Sequence, residues 1–188
     1  KKAIKGCGNT LDNTIIGNGG NNLLNGMTGA DTMIGEGGDD IYIVDNLGDI
    51  VIEQSTEGSD TVQSSVSYTL DKNIENLILT GATAINGTGN GSNNTITGNN
   101  GDNILDGNGG IDRISGGVGN DTYIVDSLDD VVFEFGPARD LDTVKSSVSW
   151  TLGVNLENLT LTGVSIINGT GNILNNTIIG NNSRNIID

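Results

Sequence analysis

The chain has 188 residues, with 30 glycines and 27 asparagines, 24 acidic against 8 basic residues, no histidine, one cysteine, and a formal net charge of −16. Aromatic residues make up 3% and all apolar residues 34%, too little for a large compact core. The lack of histidine removes the usual general base, the Ser-His and Cys-His nucleophile pairs and most zinc sites, while the charge repels nucleic acid and anionic membranes.

No apolar run is long enough to span a bilayer. The opening residues carry no signal-peptide pattern and read as the interior of a longer array. Low hydrophobicity with high charge is also the composition of a disordered chain. Here, however, valine and isoleucine are frequent and regularly spaced, which predicts many short strands.

From the N-terminus, four units of nine follow one another: GNTLDNTII (residues 8–16), GNGGNNLLN (17–25), GMTGADTMI (26–34) and GEGGDDIYI (35–43). Residues 49–53, 61–70 and 74–80 then read as strands. The pattern restarts with GNGSNNTIT (89–97), GNNGDNILD (98–106), GNGGIDRIS (107–115) and GGVGNDTYI (116–124). Strand-like segments follow at 130–134, 143–152 and 156–162. A third start supplies GNILNNTII (171–179) and GNNSRNIID (180–188). Residues 60–100 and 142–182 share 29 of 41 positions, and residues 6–45 and 87–126 share 21 of 40. The expected organisation is one module over 1–82, a second over 83–164 and part of a third over 165–188, in one continuous solenoid.

Each nine-residue unit has one design. Position 1 is glycine, position 6 is Asp or Asn, and position 8 is a large apolar residue: Ile15, Leu24, Met33, Tyr42, Ile96, Leu105, Ile114, Tyr123, Ile178 or Ile187. Six residues of Gly, Asn and Asp make a turn. The next three make a short strand whose middle side chain points inward. Two units complete one coil, and stacked coils make an all-β, parallel β-roll. The segments between the nonapeptides are expected to continue the solenoid in longer coils; a packed β-sandwich between rolls is the alternative.

Burying one side chain in nine does not offset the ordering of nine residues, so something else must join the turns. Stacked position-6 carboxylates repel unless a cation lies between them. Ligands made only of oxygen select a hard cation, and the number of oxygens favours Ca²⁺ over Mg²⁺.

The units GGVGNDTYI and GEGGDDIYI resemble the glycine-rich nonapeptide GGxGxDxUx of RTX (hemolysin-type) calcium-binding proteins. That resemblance implies a β-roll with calcium held between successive turns by position-6 carboxylates and glycine-turn carbonyls. Carried over to this chain, the matching ligands are Asp31, Asp40, Asp112 and Asp121. The other units place Asn13, Asn22, Asn94, Asn103, Asn176 and Asn185 at position 6. An amide offers an oxygen without charge, so these coils either bind calcium weakly or form asparagine ladders. One coil further along, two units on, Asp31 leads to Asp49 and Asp112 to Asp130. The same step leads from Asp40 to the neighbourhood of Asp60, and from Asp121 to that of Asp140 and Asp142. Asp45, Asp49, Asp126 and Asp130 are therefore expected to close the column, giving about four ions per module; the alternative is that they are solvated turn acids.

Glu75 and Glu157 lie in matching N-[IL]-E-N-L contexts and read as hydrogen-bonded caps. Glu53 and Glu134 lie near other acids and could join the calcium sites. Arg113, Arg139 and Arg184 lack counterparts in the other copy, which marks surface positions. Cys7 aligns with Thr88 and Thr170 as an incidental substitution, and one unpaired cysteine argues against a disulfide framework. Thr14, Thr95 and Thr177 are too sparse for an ice-binding ladder. No catalytic residue is assigned, although some calcium-dependent polysaccharide lyases are parallel β-helices.

The resemblance further implies a structural segment of a secreted bacterial RTX protein (an adhesin, surface-layer or fibre component) that leaves the cell by type I secretion and folds in extracellular calcium. The alternative is an accessory module beside a catalytic domain, aiding secretion, folding or polysaccharide contact. The expected partners are calcium, further copies joined end to end, or a cell surface or polysaccharide. Neither nucleic-acid binding nor membrane insertion is expected.

Overall fold

The computed structural model describes residues 1–137 and 139–188. Its elements are all β-strands. The first repeat contains β1 (Lys5–Cys7), β2 (Thr14–Ile16), β3 (Leu23–Asn25), β4 (Thr32–Ile34), β5 (Ile41–Val44), β6 (Ile50–Ile52), β7 (Thr61–Ser64), β8 (Tyr68–Thr69) and β9 (Asn76–Leu79). The same nine recur as β10 (Gly87–Thr88), β11 (Thr95–Thr97), β12 (Ile104–Asp106), β13 (Arg113–Ser115), β14 (Thr122–Val125), β15 (Val131–Phe133), β16 (Thr143–Ser146), β17 (Trp150–Thr151) and β18 (Asn158–Leu161). A third set opens with β19 (Gly169–Thr170) and β20 (Thr177–Ile179).

Except at two junctions, each strand pairs in parallel with the strand two places on, so the chain winds as a two-faced β-solenoid. The odd face runs from β1 to β15 without a gap and resumes as β17–β19. The even face holds β2–β4–β6 and resumes from β8 to β20. The gaps β6/β8 and β15/β17 are the same junction in the two repeats. They fall on opposite faces because each repeat contributes nine strands, an odd number. Equivalent strands of successive repeats therefore lie on opposite sides of the solenoid.

The nonapeptide coils keep a common spacing of two units, as in Leu24↔Tyr42 and Ile96↔Ile114. Beyond them the solenoid does continue, but its coils are not uniformly longer. Ile41 pairs with Thr61 and Thr122 with Thr143, so this coil is wider than a nonapeptide coil in both repeats. Thr61 then pairs with Asn76, and Thr143 with Asn158, in a coil shorter than either. The short coil has a local cause. The expected strand over 61–70 divides into β7 and β8 at a corner. There the buried Ser64 hydroxyl donates to the Val66 carbonyl (2.7 Å) and accepts the Val66 amide (3.2 Å). Ser146 and Val148 repeat this turn in the second copy, at 2.8 and 3.2 Å. A side chain that bonds its own backbone two residues on bends the chain in this way.

The core is a single seam of position-8 side chains, continued by Val51, Val62 and Leu77 and by Val144 and Leu159, all buried. Ile15 and Ile178 pack against it while only partly buried, and Ile187 is exposed. The four-residue strands add a second inward residue, Val44, Ser64 and Leu79 in the first repeat and Val125, Ser146 and Leu161 in the second. Among the described residues no helix is long and apolar enough to cross a membrane.

Candidate metal centre

The position-6 residues form two columns, one along each edge of the solenoid. On the first edge the order is Asn22, Asp40, Asp60, Glu75, Asn94, Asp112 and Asp130. On the second it is Asn13, Asp31 and Asp49, then, after the β6/β8 gap, Asn103, Asp121, Asp142, Glu157 and Asn176. Within each column one oxygen of a carboxylate accepts the backbone amide of the residue one coil before. Asn13 donates to Asp31 (2.8 Å), Asp31 to Asp49 (2.9 Å) and Asp40 to Asp60 (2.8 Å). Asn94 donates to Asp112 (2.8 Å), Asp112 to Asp130 (3.0 Å) and Asp121 to Asp142 (2.7 Å). Asp142, not Asp140, continues the column; Asp140 accepts the amide of Gly119 (2.9 Å). Asp60 and Asp142 donate in turn to Glu75 (2.8 Å) and Glu157 (3.0 Å), which gives both glutamates a hydrogen-bonded capping position.

The second carboxylate oxygen separates the sites. In Asp31, Asp40, Asp112 and Asp121 it is buried and has no hydrogen-bond partner. These four residues are at most 1% exposed. Asp49 and Asp130 differ, because their second oxygens accept the amides of Asp45 and Asn46 and of Asp126 and Ser127. Asp45 and Asp126 are exposed.

The asparagine units are wired differently. The Oδ1 atoms of Asn13, Asn94, Asn103 and Asn176 accept the position-2 amide of their own turn, at 2.7–2.9 Å. The amino groups of Asn94, Asn103 and Asn176 reach back one coil: Asn94 donates to the carbonyls of Ile74 and Glu75, Asn103 to that of Ile85, and Asn176 to those of Leu156 and Glu157. Asn22 donates to the carbonyls of Asn18 and Gly35 and to Asp40. A carboxylate could make none of these donations.

The backbone follows the same division. Each aspartate unit has positive φ at positions 2 and 4: Met27 and Gly29 (66° and 135°), Glu36 and Gly38 (73° and 115°), Asn108 and Gly110 (60° and 131°), Gly117 and Gly119 (99° and 125°). No asparagine unit shows this pair. In the aspartate units the position-1 carbonyls of Gly26, Gly35, Gly107 and Gly116 press against the position-1 glycine of the coil before, where any Cβ would collide with them. Glycine is required there by this close approach.

The burial of so many acids has an electrostatic cost. Burial pushes Asp60, Asp112 and Asp121 up to about 6 and Asp142 to about 7, opposed by the backbone amides they accept and reinforced by neighbouring acids. Glu53 rises to about 8, chiefly through burial. Asp40 is also raised by burial, against its hydrogen bonds from Asn22. Among the described residues the one ion pair joins Arg139 to Asp140 at 4.0 Å, so no basic side chain offsets the buried charge. A hard divalent cation fits this donor set, because it supplies the missing charge to orphaned carboxylate oxygens packed against the position-1 glycines of their own turns.

The family of the RTX calcium-binding nonapeptide repeat (4 copies) matches two segments, residues 8–42 and 88–131. These segments are RTX calcium-binding repeats. Such repeats bind Ca²⁺. Two curated relatives, both from Rhizobium meliloti (strain 1021), share part of the chain. Endo-1,3-1,4-beta-glycanase ExsH is 41% identical over 70 residues, 37% of this chain and 15% of the relative. Endo-1,3-1,4-beta-glycanase EglC is 37% identical over 84 residues, 44% of this chain and 18% of the relative. The chain thus covers less than a fifth of the length of either.

Sequence reasoning misses a second ladder, at position 5. Asp12 accepts the amide of Ala30 (2.9 Å), Asn21 that of Asp39 (3.1 Å), Asn93 that of Ile111 (2.9 Å) and Asp102 that of Asn120 (2.8 Å). Here the side chain accepts from the coil ahead, opposite in sense to position 6. The recurrence of Asp or Asn at position 5 is the signal that could reveal it.

Proposed function

We propose that this chain is a calcium-folded structural segment of a secreted RTX protein, with Asp31, Asp40, Asp112 and Asp121 as the principal nonapeptide ligands. The carrying observation is the buried, unpartnered oxygen on each of these four carboxylates, set in columns whose members bond from coil to coil. Without a cation these oxygens oppose folding. Cytosolic calcium is scarce, so the chain stays unfolded there and passes an export channel. Outside, affinities of about 10⁻⁴–10⁻³ M, usual for extracellular modules, suffice to fold it. Asn13, Asn22, Asn94 and Asn103 serve mainly as coil-to-coil connectors in this reading, and Asp49 and Asp130 close the columns. The folded segment acts as a stiff spacer in an adhesin, surface layer or fibre.

A second reading is supported by the two glycanase relatives. The segment would then accompany a catalytic domain and aid its secretion or its contact with polysaccharide. Both readings require the same calcium response. Circular dichroism with and without chelator tests it: strand signal in calcium should give way to disorder after stripping, and an unchanged spectrum would refute the calcium-folding reading.

A further inference from the structure

Glu53 stands one nonapeptide coil after Gly35, and Glu134 stands one after Gly116. Each glutamate therefore takes position 1 of the coil that follows the last nonapeptide, the place that glycine fills in every nonapeptide. Its side chain turns into the position-6 column instead of leaving room for a neighbouring carbonyl. Carboxylate oxygens of Asp40, Glu53 and Asp60 lie within 4.8 Å of one another, as do those of Asp121, Glu134 and Asp142. All six residues are at most 7% exposed. The Tyr42 hydroxyl donates to Glu53, and that of Tyr123 to Glu134. Both tyrosines are fully buried position-8 residues. In the first cluster Asp40 Oδ2 and Glu53 Oε2 have no hydrogen-bond partner, and in the second Asp121 Oδ2 has none. Three buried carboxylates with orphaned oxygens and no basic neighbour call for a cation.

We propose that each repeat carries one cation site set apart from the other nonapeptide steps by a glutamate ligand: Glu53 with Asp60 and the nonapeptide ligand Asp40 in the first, and Glu134 with Asp142 and the nonapeptide ligand Asp121 in the second. It rests on the calcium reading above and takes Ca²⁺, since the donors are all oxygen. With three side-chain carboxylates it holds more charge than a nonapeptide step and binds more tightly, so it fills first. Its place explains its use. It lies where the coil widens beyond the nonapeptide spacing, and it ties the nonapeptide stack to the wider coils.

Terbium, a calcium mimic whose emission is excited by a nearby tyrosine, reads this site directly. Titrations would use the full chain in a Trp150→Phe background, alongside calcium equilibrium dialysis. The expected result is tyrosine-excited emission at the lowest terbium ratios, displaced by calcium and mostly lost in Tyr42→Phe/Tyr123→Phe. Glu53→Gln/Glu134→Gln should lose one calcium per repeat and the tightest binding phase. Retention of the ion count and tightest phase in the glutamine variant overturns the proposal. So does unchanged emission in the phenylalanine variant, which retains the buried rings and covers the case in which the glutamine variant misfolds. A wild-type chain that binds neither ion refutes the underlying calcium reading; one that binds calcium without early tyrosine-excited emission refutes this site alone.

Discussion

The nonapeptide coils and the coils that follow them are two solutions to stacking one chain on itself. In β2, β3 and β4 one side chain of three points to the core, and the turns before them hold Asn13, Asn22 and the buried Asp31. In β7 and β9, beyond the nonapeptides, the strands have four residues and bury two, as the last nonapeptide strand, β5, already does. In the calcium reading proposed above, the first kind substitutes ion binding for apolar burial, whereas the second, with more buried apolar side chains, depends less on the ion. Leu70, Ile74, Leu79 and Ile85, all buried, have no equivalent in the nonapeptides. The difference suggests that calcium dependence is local to certain coils and reaches the rest through the seam they share.

The largest effect should come from removing calcium. Hydrogen exchange in chelator is expected to show full loss of protection at residues 8–43 and 89–124, with partial protection surviving at 61–79 and 143–161. Uniform loss would erase the distinction. Next is truncation of the shared seam. Leu77→Ala should cost the calcium-loaded protein about 2–5 kcal/mol in denaturant unfolding, and it should remove the residual protection seen in chelator. Asn94→Asp should cost about 1–3 kcal/mol, because the carbonyls of Ile74 and Glu75 lose their donor in a buried place. A gain in calcium affinity without that loss would make Asn94 a ligand position rather than a connector.

A smaller effect concerns acid. Glu53, Asp60, Asp112, Asp121 and Asp142 hold their protons to higher pH in the fold than in the unfolded chain, where they follow ordinary carboxylate values. The calcium-free fold therefore binds more protons than the unfolded state. Its stability falls as pH rises through the window from ordinary carboxylate values to about 8. In chelator, lowering the pH from about 8 to about 5 should recover strand signal, and calcium should abolish this dependence by replacing the protons. The smallest effect is expected at Arg139, whose side chain is 86% exposed. Arg139→Ala should leave stability in denaturant unfolding nearly unchanged, within about 0.5 kcal/mol.

The legible part of the fold is whatever repeats within nine residues. The inward position 8, the turn glycines and the acid column all follow from a local period, so residues such as Leu24 and Asp31 declare their places. The corner at Ser64 is hidden because Thr, Val and Ser alternate on both sides of it as one strand would. The distinction between Asp and Asn at position 6 lies half open. Charge is evident, but the positive φ at Met27 and Glu36 comes from a turn that those residue types do not advertise. Glu53 draws notice in the sequence only for its acidic neighbours, because its register with Gly35 matters only once the coils are stacked.

The count of nine strands per repeat has a consequence for anything the solenoid displays. A residue that decorates one side in one repeat decorates the opposite side in the next, like leaves set alternately on a stem. Lys72 and its counterpart Val154, or Ile50 and Val131, therefore look outward in opposite directions. In a longer array built on this plan, a single flat partner would meet every second repeat, whereas two partners, one on each side, would each find the same motif at double the interval.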